Sequence, residues 1–412
     1  MSITVTAAPH GLRGLLLKWL SPVGVIAIAQ LFGTSLWFSA NGAADSLMTA
    51  WQASAADIGW LTNAVQLGFI VGTLSLSLSG AADRFRASSL FFCCAIAGAL
   101  FNLAFAFVAD GLATGAVLRF CVGVTLAGIY PMGMKLIVGW APERTGLALA
   151  QLVAMLTLGT ALPHALRLVG ADWSWQSIIT ASSVLALTGA VLIGLLGDGP
   201  HARGGRPAGN CPHKRAGAIL SAFRISRFRA ATLGYFGHMW ELYAFWTVVP
   251  LIVDRSGLAQ AYPTLGVAGL SFFIMAVGAL GSLIGGVLSQ RIGSDRVALT
   301  ALGTSGLCGL FFVLVQAQMQ PWLLLLLLAL WGASVVADSP QFSALAAKAC
   351  PQDAVGSALA IQNSIGFAIT VVSIACTSWL FERVGIDALW ILIPGPLLGL
   401  LGYVGSLRQA HA

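Results

Sequence analysis

"YPMGMKLIVGWAPERTGLALA", residues 130–150, has a counterpart in "SPQFSALAAKACPQDAVGSALA", residues 339–360. In each stretch two prolines stand eleven residues apart, Pro131 and Pro142 in the first, Pro340 and Pro351 in the second, and the copies are offset by 209 positions. Behind them GLALA (146–150) answers GSALA (356–360). Upstream, "SGAADRFRAS" (79–88) and "GVLSQRIGSDR" (286–296) align Asp83-Arg84 with Gln290-Arg291 at an offset of 207. Three matches at a nearly constant offset imply an internal duplication.

The chain around these stretches is 412 residues long, 58% hydrophobic and only 8% charged, with a mean hydropathy of +0.88. Soluble domains carry about 25% charged residues, so the composition is that of an integral membrane protein. A spanning helix needs about 20 apolar residues. Twelve such stretches are expected, near 20–42, 57–79, 88–108, 112–139, 146–168 and 174–196, then 229–253, 264–288, 296–317, 320–345, 355–380 and 387–407. Between the sixth and seventh lies "DGPHARGGRPAGNCPHKR" (198–215), whose Gly, Pro and basic content reads as a flexible linker. The expected division is an N-terminal half (1–196), a cytoplasmic linker (197–228) and a C-terminal half (229–412). The stretch "AILSAFRISRFR" (218–229) suits either a short interfacial helix or a basic stop before the seventh span. The first apolar run is a full-length span, so it is expected to serve as an uncleaved targeting signal.

The net charge of +7 raises the question of nucleic acid, but its placement excludes that reading. With the N-terminus in the cytoplasm, seventeen basic residues fall inside, among them Lys135, Arg203, Arg206 and Arg291, and only Arg167, Arg255 and Arg383 fall outside. This is the positive-inside bias, and it predicts a cytoplasmic-membrane protein with both termini cytoplasmic. Cys93, Cys94, Cys121, Cys308 and Cys376 lie in spans and Cys211 and Cys350 in cytoplasmic loops, so no structural disulfide is expected. Cys211-Pro-His213 has no second pair of ligands, and neither a metal nor a cofactor is expected.

The motifs resemble those of the major facilitator superfamily. That family carries a Gly, then Asp-Arg, then Gly and basic residues after its second helix. Asp83 and Arg84 match, while the leading Gly is displaced to Gly80 and the trailing pair has become Arg86-Ala87. The second copy keeps Gly286, Leu288, Arg291 and Gly293 and replaces the acid by Gln290. The family's fourth helix has Arg followed by Gly four residues on, supplied here by Arg119 and Gly123. Its antiporter signature in the fifth helix is incomplete: "LGTALPHAL" (158–166) has Gly159 and Pro163 but neither the Gly-Pro pair nor paired glycines. The resemblance implies an all-α membrane fold of twelve helices in two pseudo-symmetric six-helix halves, with a substrate site between them at mid-depth. It also implies a monomer that exchanges a small solute, surrounded by membrane lipids, and a gating role for the Asp83-Arg84 and Gln290-Arg291 loops.

Four ionisable residues sit deep in predicted spans: Arg119, His238, Glu241 and Asp338. A charge at the bilayer centre costs at least ~2.5 kcal/mol, so such residues face a partner, a cavity or a conduction path. His238 and Glu241 share one helix face. Burial favours a neutral carboxyl and a nearby cation a charged one, which makes Glu241 a candidate proton site with His238 beside it and Arg119 as its cationic partner. The alternative is a permanent His–Glu hydrogen bond that fixes helix packing. Arg119 suits either an anionic substrate or a resting-state acid; Asp338, just before Pro340, suits a local helix break or a direct role. Gln30, Trp37, Gln66, Tyr130, Tyr235, Trp240, Tyr243, Gln362 and Asn363 lie at similar depth and complete the candidate cavity. His164 is expected at headgroup level.

The reading that follows is a proton-coupled secondary transporter, with a small organic anion favoured as substrate. A proton-driven exporter of drugs or metabolites and a transporter-like sensor are the alternatives; a sensor would want a soluble output domain. No His-Glu-x-x-His, Gly-x-Ser-x-Gly or Walker-type loop occurs in the sequence, so neither an intramembrane enzyme nor direct ATP drive is expected.

Overall fold

In lipid, backbone polar groups must be satisfied within the segment, which leaves helices as the economical choice for runs this apolar. The computed structural model describes residues 12–142, 145–202, 223–350 and 355–408, and among these there is no strand. Helices occupy all twelve expected positions. In the first half they are α1 (Pro22–Thr34, resumed at Ser39–Gly42), α2 (Ala55–Leu78), α3 (Ala87–Phe107), α4 (Leu112–Leu126, resumed at Tyr130–Trp140), α5 (Thr145–Val169) and α6 (Trp175–Leu196). In the second they are α7 (Ser226–Arg255), α8 (Gly266–Ile292), α9 (Ser294–Val315), α10 (Pro321–Ala337, resumed at Ser339–Ala349), α11 (Val355–Val384) and α12 (Pro394–Arg408). Among the described residues nine stretches are long and apolar enough to cross a membrane, the last of them, Ala358–Arg408, taking in both α11 and α12. The two outside that set are α1, shortened by its break, and α7, which carries Arg227, Arg229, His238, Glu241, Asp254 and Arg255.

Three spans are interrupted, and two of the interruptions are written in the sequence. A proline inside a helix lacks its N–H and clashes with the carbonyl four residues back. α4 breaks before Tyr130-Pro131 and α10 at Asp338, before Ser339-Pro340, so the paired prolines of the two copies mark the same event. The third break, at residues 35–38 of α1, has no proline. The twelfth span also departs from expectation. Residues Gly385–Leu392 form a 3-10 helix, and the α-helix begins only at Pro394, because Pro394 and Pro396 fit the first turn and not the interior.

α2 packs on α4 and α3 on α6, while α7 packs on α11 and α12 and α8 on α10. Contacts between the two halves run chiefly along α5 with α8 and along α2 with α11. The α2–α4 approach explains Gly123: a Cβ there would collide with the Val65 carbonyl, so any side chain would push the helices apart. Residues 203–222 of the expected linker, Cys211 among them, residues 143 and 144, Pro351 and the termini lie outside the described residues. Of the 218–229 stretch, Ser226 onward continues into α7 without interruption.

Beyond α6, Asp198 ties that end of α6 to the start of α3. Its Oδ1 accepts from Ser88 N in the first turn of α3 (2.9 Å) and its Oδ2 from Arg86 Nε (3.0 Å). Burial works against the Asp198 charge, but the Ser88 N–H and the Arg86 guanidinium outweigh it and hold the carboxyl below the usual aspartate value. A depressed carboxyl stabilises the fold above its unfolded value of about 3.9 and loses that contribution as pH falls through the folded value. Asp198→Ala is expected to cost about 1 kcal/mol at pH 7, seen as a lower melting midpoint in detergent. The gap from wild type should begin to narrow below about pH 4 and close as pH falls through the folded value; a gap that does not narrow would point to packing instead of charge.

Candidate functional site

The polar residues of α7 turn toward α9 and α10, within the second half. Glu241, 1% exposed, accepts two hydrogen bonds from neutral donors: Ser305 Oγ to Oε2 at 2.8 Å and Trp331 Nε1 to Oε1 at 2.7 Å. Trp331 is itself fixed by stacking on Phe245, ring centroids 4.3 Å apart. One turn back along α7, His238 Nδ1 lies 2.8 Å from Asp338 Oδ1, both side chains fully buried. This is ion-pair range, though the carboxylate sits off the direction of an imidazole hydrogen bond. Asp338 stands at the α10 break, where its own carbonyl accepts from Gln341 N and Phe342 N, each at 3.0 Å.

The expected alliance of His238 with Glu241 and Arg119 is therefore not what forms. His238 pairs with Asp338, and Glu241 with Ser305 and Trp331. Among the described residues no hydrogen bond or ion pair joins Arg119 to either acid. Arg119 is fully buried in the first half, where Nη1 donates to Leu36 O (3.0 Å), Ser39 Oγ (2.9 Å) and Asn102 Oδ1 (2.9 Å). Nη2 donates to Trp37 O at 2.5 Å, the guanidinium carbon lies 5.7 Å from the Phe105 ring centre, and only Nε lacks an acceptor. These partners account for the proline-free break in α1: the carbonyls freed at Leu36 and Trp37 are taken up by Arg119. Asn102 extends the cluster to α6 through Ser183 Oγ (3.0 Å) and Ile179 O (3.1 Å).

Between the halves the seam is aromatic. Trp37 of α1 lies 4.9 Å from Phe69 of α2, 5.8 Å from Tyr243 of α7 and 5.8 Å from Phe367 of α11, measured between ring centres. Phe69 and Phe367 approach to 4.4 Å, and Trp246 continues the cluster to Tyr243 and Phe38. Such separations are those of favourable ring pairs, so four spans from both halves meet in one layer.

The other expected cavity residues divide. Gln30 and Gln66 are wholly buried, and neither amide has a partner. Gln362 accepts from Thr232 Oγ1 at 3.1 Å but its Nε2 is unpaired. Tyr235 lies 5.9 Å from the His238 ring; Tyr130 and Asn363 are half-buried. Trp240 belongs elsewhere: its indole donates to Ile391 O at 2.7 Å, which turns it toward the 3-10 segment before α12 and away from the seam. His164, expected among headgroups, is 2% exposed within α5. Sequence reasoning missed Asn63, fully buried one turn before Gln66 with both amide atoms unpartnered, and it missed the donors Ser305 and Trp331.

Of the loop residues, Arg84, Gln290 and Arg291 are exposed. The Asp83 side chain lies outside the described residues; its backbone belongs to the turn Ala81–Arg84, entered through Gly80 at φ 67°. Lys135 Nζ donates to Ala82 O and so joins that turn to α4. At the opposite end, Glu382 at the end of α11 accepts from Ala56 N, in the first turn of α2, at 2.7 Å. A carboxylate of one half thus caps a helix of the other. An exposed charge at a helix N-terminus contributes roughly 0.3–1 kcal/mol. Glu382→Ala is expected to open this end, raising the labelling rate of Thr247→Cys by an impermeant maleimide about two- to fivefold. An unchanged rate would show that the cap does not hold the closure.

No curated protein sequence matches the chain. Among solved structures, the nucleoside transporter NupG aligns at 13% identity and a TM-score of 0.69, covering 94% of this chain and 99% of that one. The proton:xylose symporter XylE aligns at 13% identity and a TM-score of 0.71, covering 94% and 95%. At that identity the likeness is one of fold. The model of the Major Facilitator Superfamily matches residues 26–374. With its helices at the twelve positions and its seam between two sets of six, this chain belongs to the major facilitator superfamily.

Proposed function

We propose that the protein is a secondary active transporter that moves a small solute across the cytoplasmic membrane by alternating access, coupled to protons. The halves 1–196 and 229–412 rock about the aromatic seam, joined through the 197–228 linker, and the protein works as a monomer with both termini cytoplasmic. The observation that carries the coupling is the burial of two acids, Glu241 and Asp338, within the second half. Glu241 has only neutral donors, and Asp338 has a histidine. A carboxylate without a fixed cation in the membrane interior is costly, and a group that gains and loses a proton during the cycle gives that cost a use.

Glu241 is the coupling site in this reading, with His238, paired to Asp338, one turn back along α7. Asp83 and Arg84 latch the inner end when the outer end opens, while the Glu382 cap closes the outer end in the state described above. The test is accumulation in proteoliposomes. A solute that raises the melting point of the purified protein should be concentrated when a pH gradient is imposed, and a protonophore should abolish the effect. Accumulation indifferent to the protonophore would remove proton coupling.

A further inference from the structure

We propose that the seam binds an uncharged, hydroxyl-rich ring solute of monosaccharide or nucleoside size, through the amides of Asn63 and Gln66 and the indole N–H groups of Trp37 and Trp246. This rests on the transporter reading and names the substrate class of its central site.

Asn63, Gln66 and Phe69 follow one another at intervals of three on α2 and so share a face, and Phe69 of that face meets Phe367 of the other half. All four side-chain amide atoms of Asn63 and Gln66 are buried without a partner, and so are the indole nitrogens of Trp37 and Trp246 in the adjoining ring cluster. Their neighbour Thr62, by contrast, is paired with Asn41 at 3.0 Å. A buried polar group left unpaired costs about 1–3 kcal/mol, so six such atoms at the junction of the halves mark a place built for a polar guest.

The inventory of donors and acceptors decides its chemistry. Two indoles only donate, and each amide offers one accepting oxygen and a nitrogen with two donors. A carboxylate or phosphate only accepts, and would leave both amide oxygens unpaired. An ammonium only donates, and would leave every N–H unpaired. A hydroxyl does both, and the C–H faces of a saturated or heterocyclic ring suit the indole and phenyl faces. Among the described residues the buried guanidinium of Arg119 is not free for an anion either: its terminal nitrogens are committed to Leu36, Trp37, Ser39 and Asn102.

The experiment is equilibrium binding to purified protein in nanodiscs by calorimetry and thermal shift, at fixed pH and without a gradient. The probes are D-glucose, D-xylose, uridine and adenosine, set against glucuronate, uridine monophosphate and glucosamine as charged analogues. At least one neutral probe should bind, and its charged analogue should bind at least tenfold more weakly. Gln66→Leu and Asn63→Leu should each weaken that neutral probe about tenfold. The ligand-free melting point of each should stay level or rise, because an unpaired amide has been removed. Failure of every neutral probe, a charged analogue that binds as tightly, or wild-type affinity in both leucine variants would overturn the proposal. Because no proton gradient enters, failure here leaves the coupling reading standing, and failure of coupling leaves this one standing.

Discussion

Glu241→Gln is expected to leave exchange of solute across the membrane intact while abolishing its accumulation under a pH gradient. The substitution keeps the shape and removes only the proton chemistry. Gln retains one accepting oxygen for Trp331 Nε1. Its amide nitrogen then faces Ser305, whose hydroxyl lies 3.0 Å from Leu302 O and so can donate there while accepting from the new amide. Both existing partners, Trp331 Nε1 and the Ser305 hydroxyl, keep a hydrogen bond, and folding should be near wild type. Counterflow between solute-loaded and external pools in proteoliposomes reads exchange; uptake against a concentration gradient reads coupling. A variant that still concentrates solute would dismiss Glu241 as the coupling group. If Asp338→Asn then fails where Glu241→Gln succeeds, coupling belongs to the His238–Asp338 pair.

The second large effect is expected at Arg119, and it is one of folding. Leaving a buried acceptor without its donor costs about 1–3 kcal/mol, and Arg119 serves four of them. Arg119→Ala would leave the Leu36 and Trp37 carbonyls, Ser39 and Asn102 without their common donor. Arg119→Lys keeps the charge but cannot reproduce a planar fork with donors on two nitrogens. Both variants should yield little monodisperse protein in detergent. Ser39→Ala, which removes one of the four acceptors, should fold with a midpoint lowered by about 1.5–3 kcal/mol of stability. A well-folded Arg119→Ala with altered solute affinity would instead place the guanidinium in the binding site. That result would restore the anion-binding role suggested by its position in the sequence.

What was legible in the sequence was whatever the chain states locally. Hydropathy located the twelve helices and Asp338 before Pro340 signalled the break in α10, while Pro131, read only as a mark of duplication, stands at the matching break in α4. The break in α1 was hidden because its cause lies elsewhere: Arg119 reaches it across 83 positions to Leu36 O. The true partners of Glu241 were hidden in the same way, Ser305 at a separation of 64 and Trp331 at 90. Spacing along α7 showed that His238 and Glu241 share a face, but no periodicity reveals which neighbouring helix covers it. Asn63 was within reach of the sequence: an amide one turn before Gln66, in an apolar run, carries the same signal that singled out Gln66.

The bond from Trp331 to Glu241 also makes the site visible to light. Indole absorption and emission respond to what the N–H donates to, and a carboxylate and a neutral acid are different acceptors. Trp331 is 0% exposed, so bulk solvent contributes little to its spectrum. The chain has 13 tryptophans, and a difference spectrum between wild type and Trp331→Phe isolates this one. The residue that orients the carboxyl is thereby a chromophore for its state of charge, read without a label while the transporter turns over.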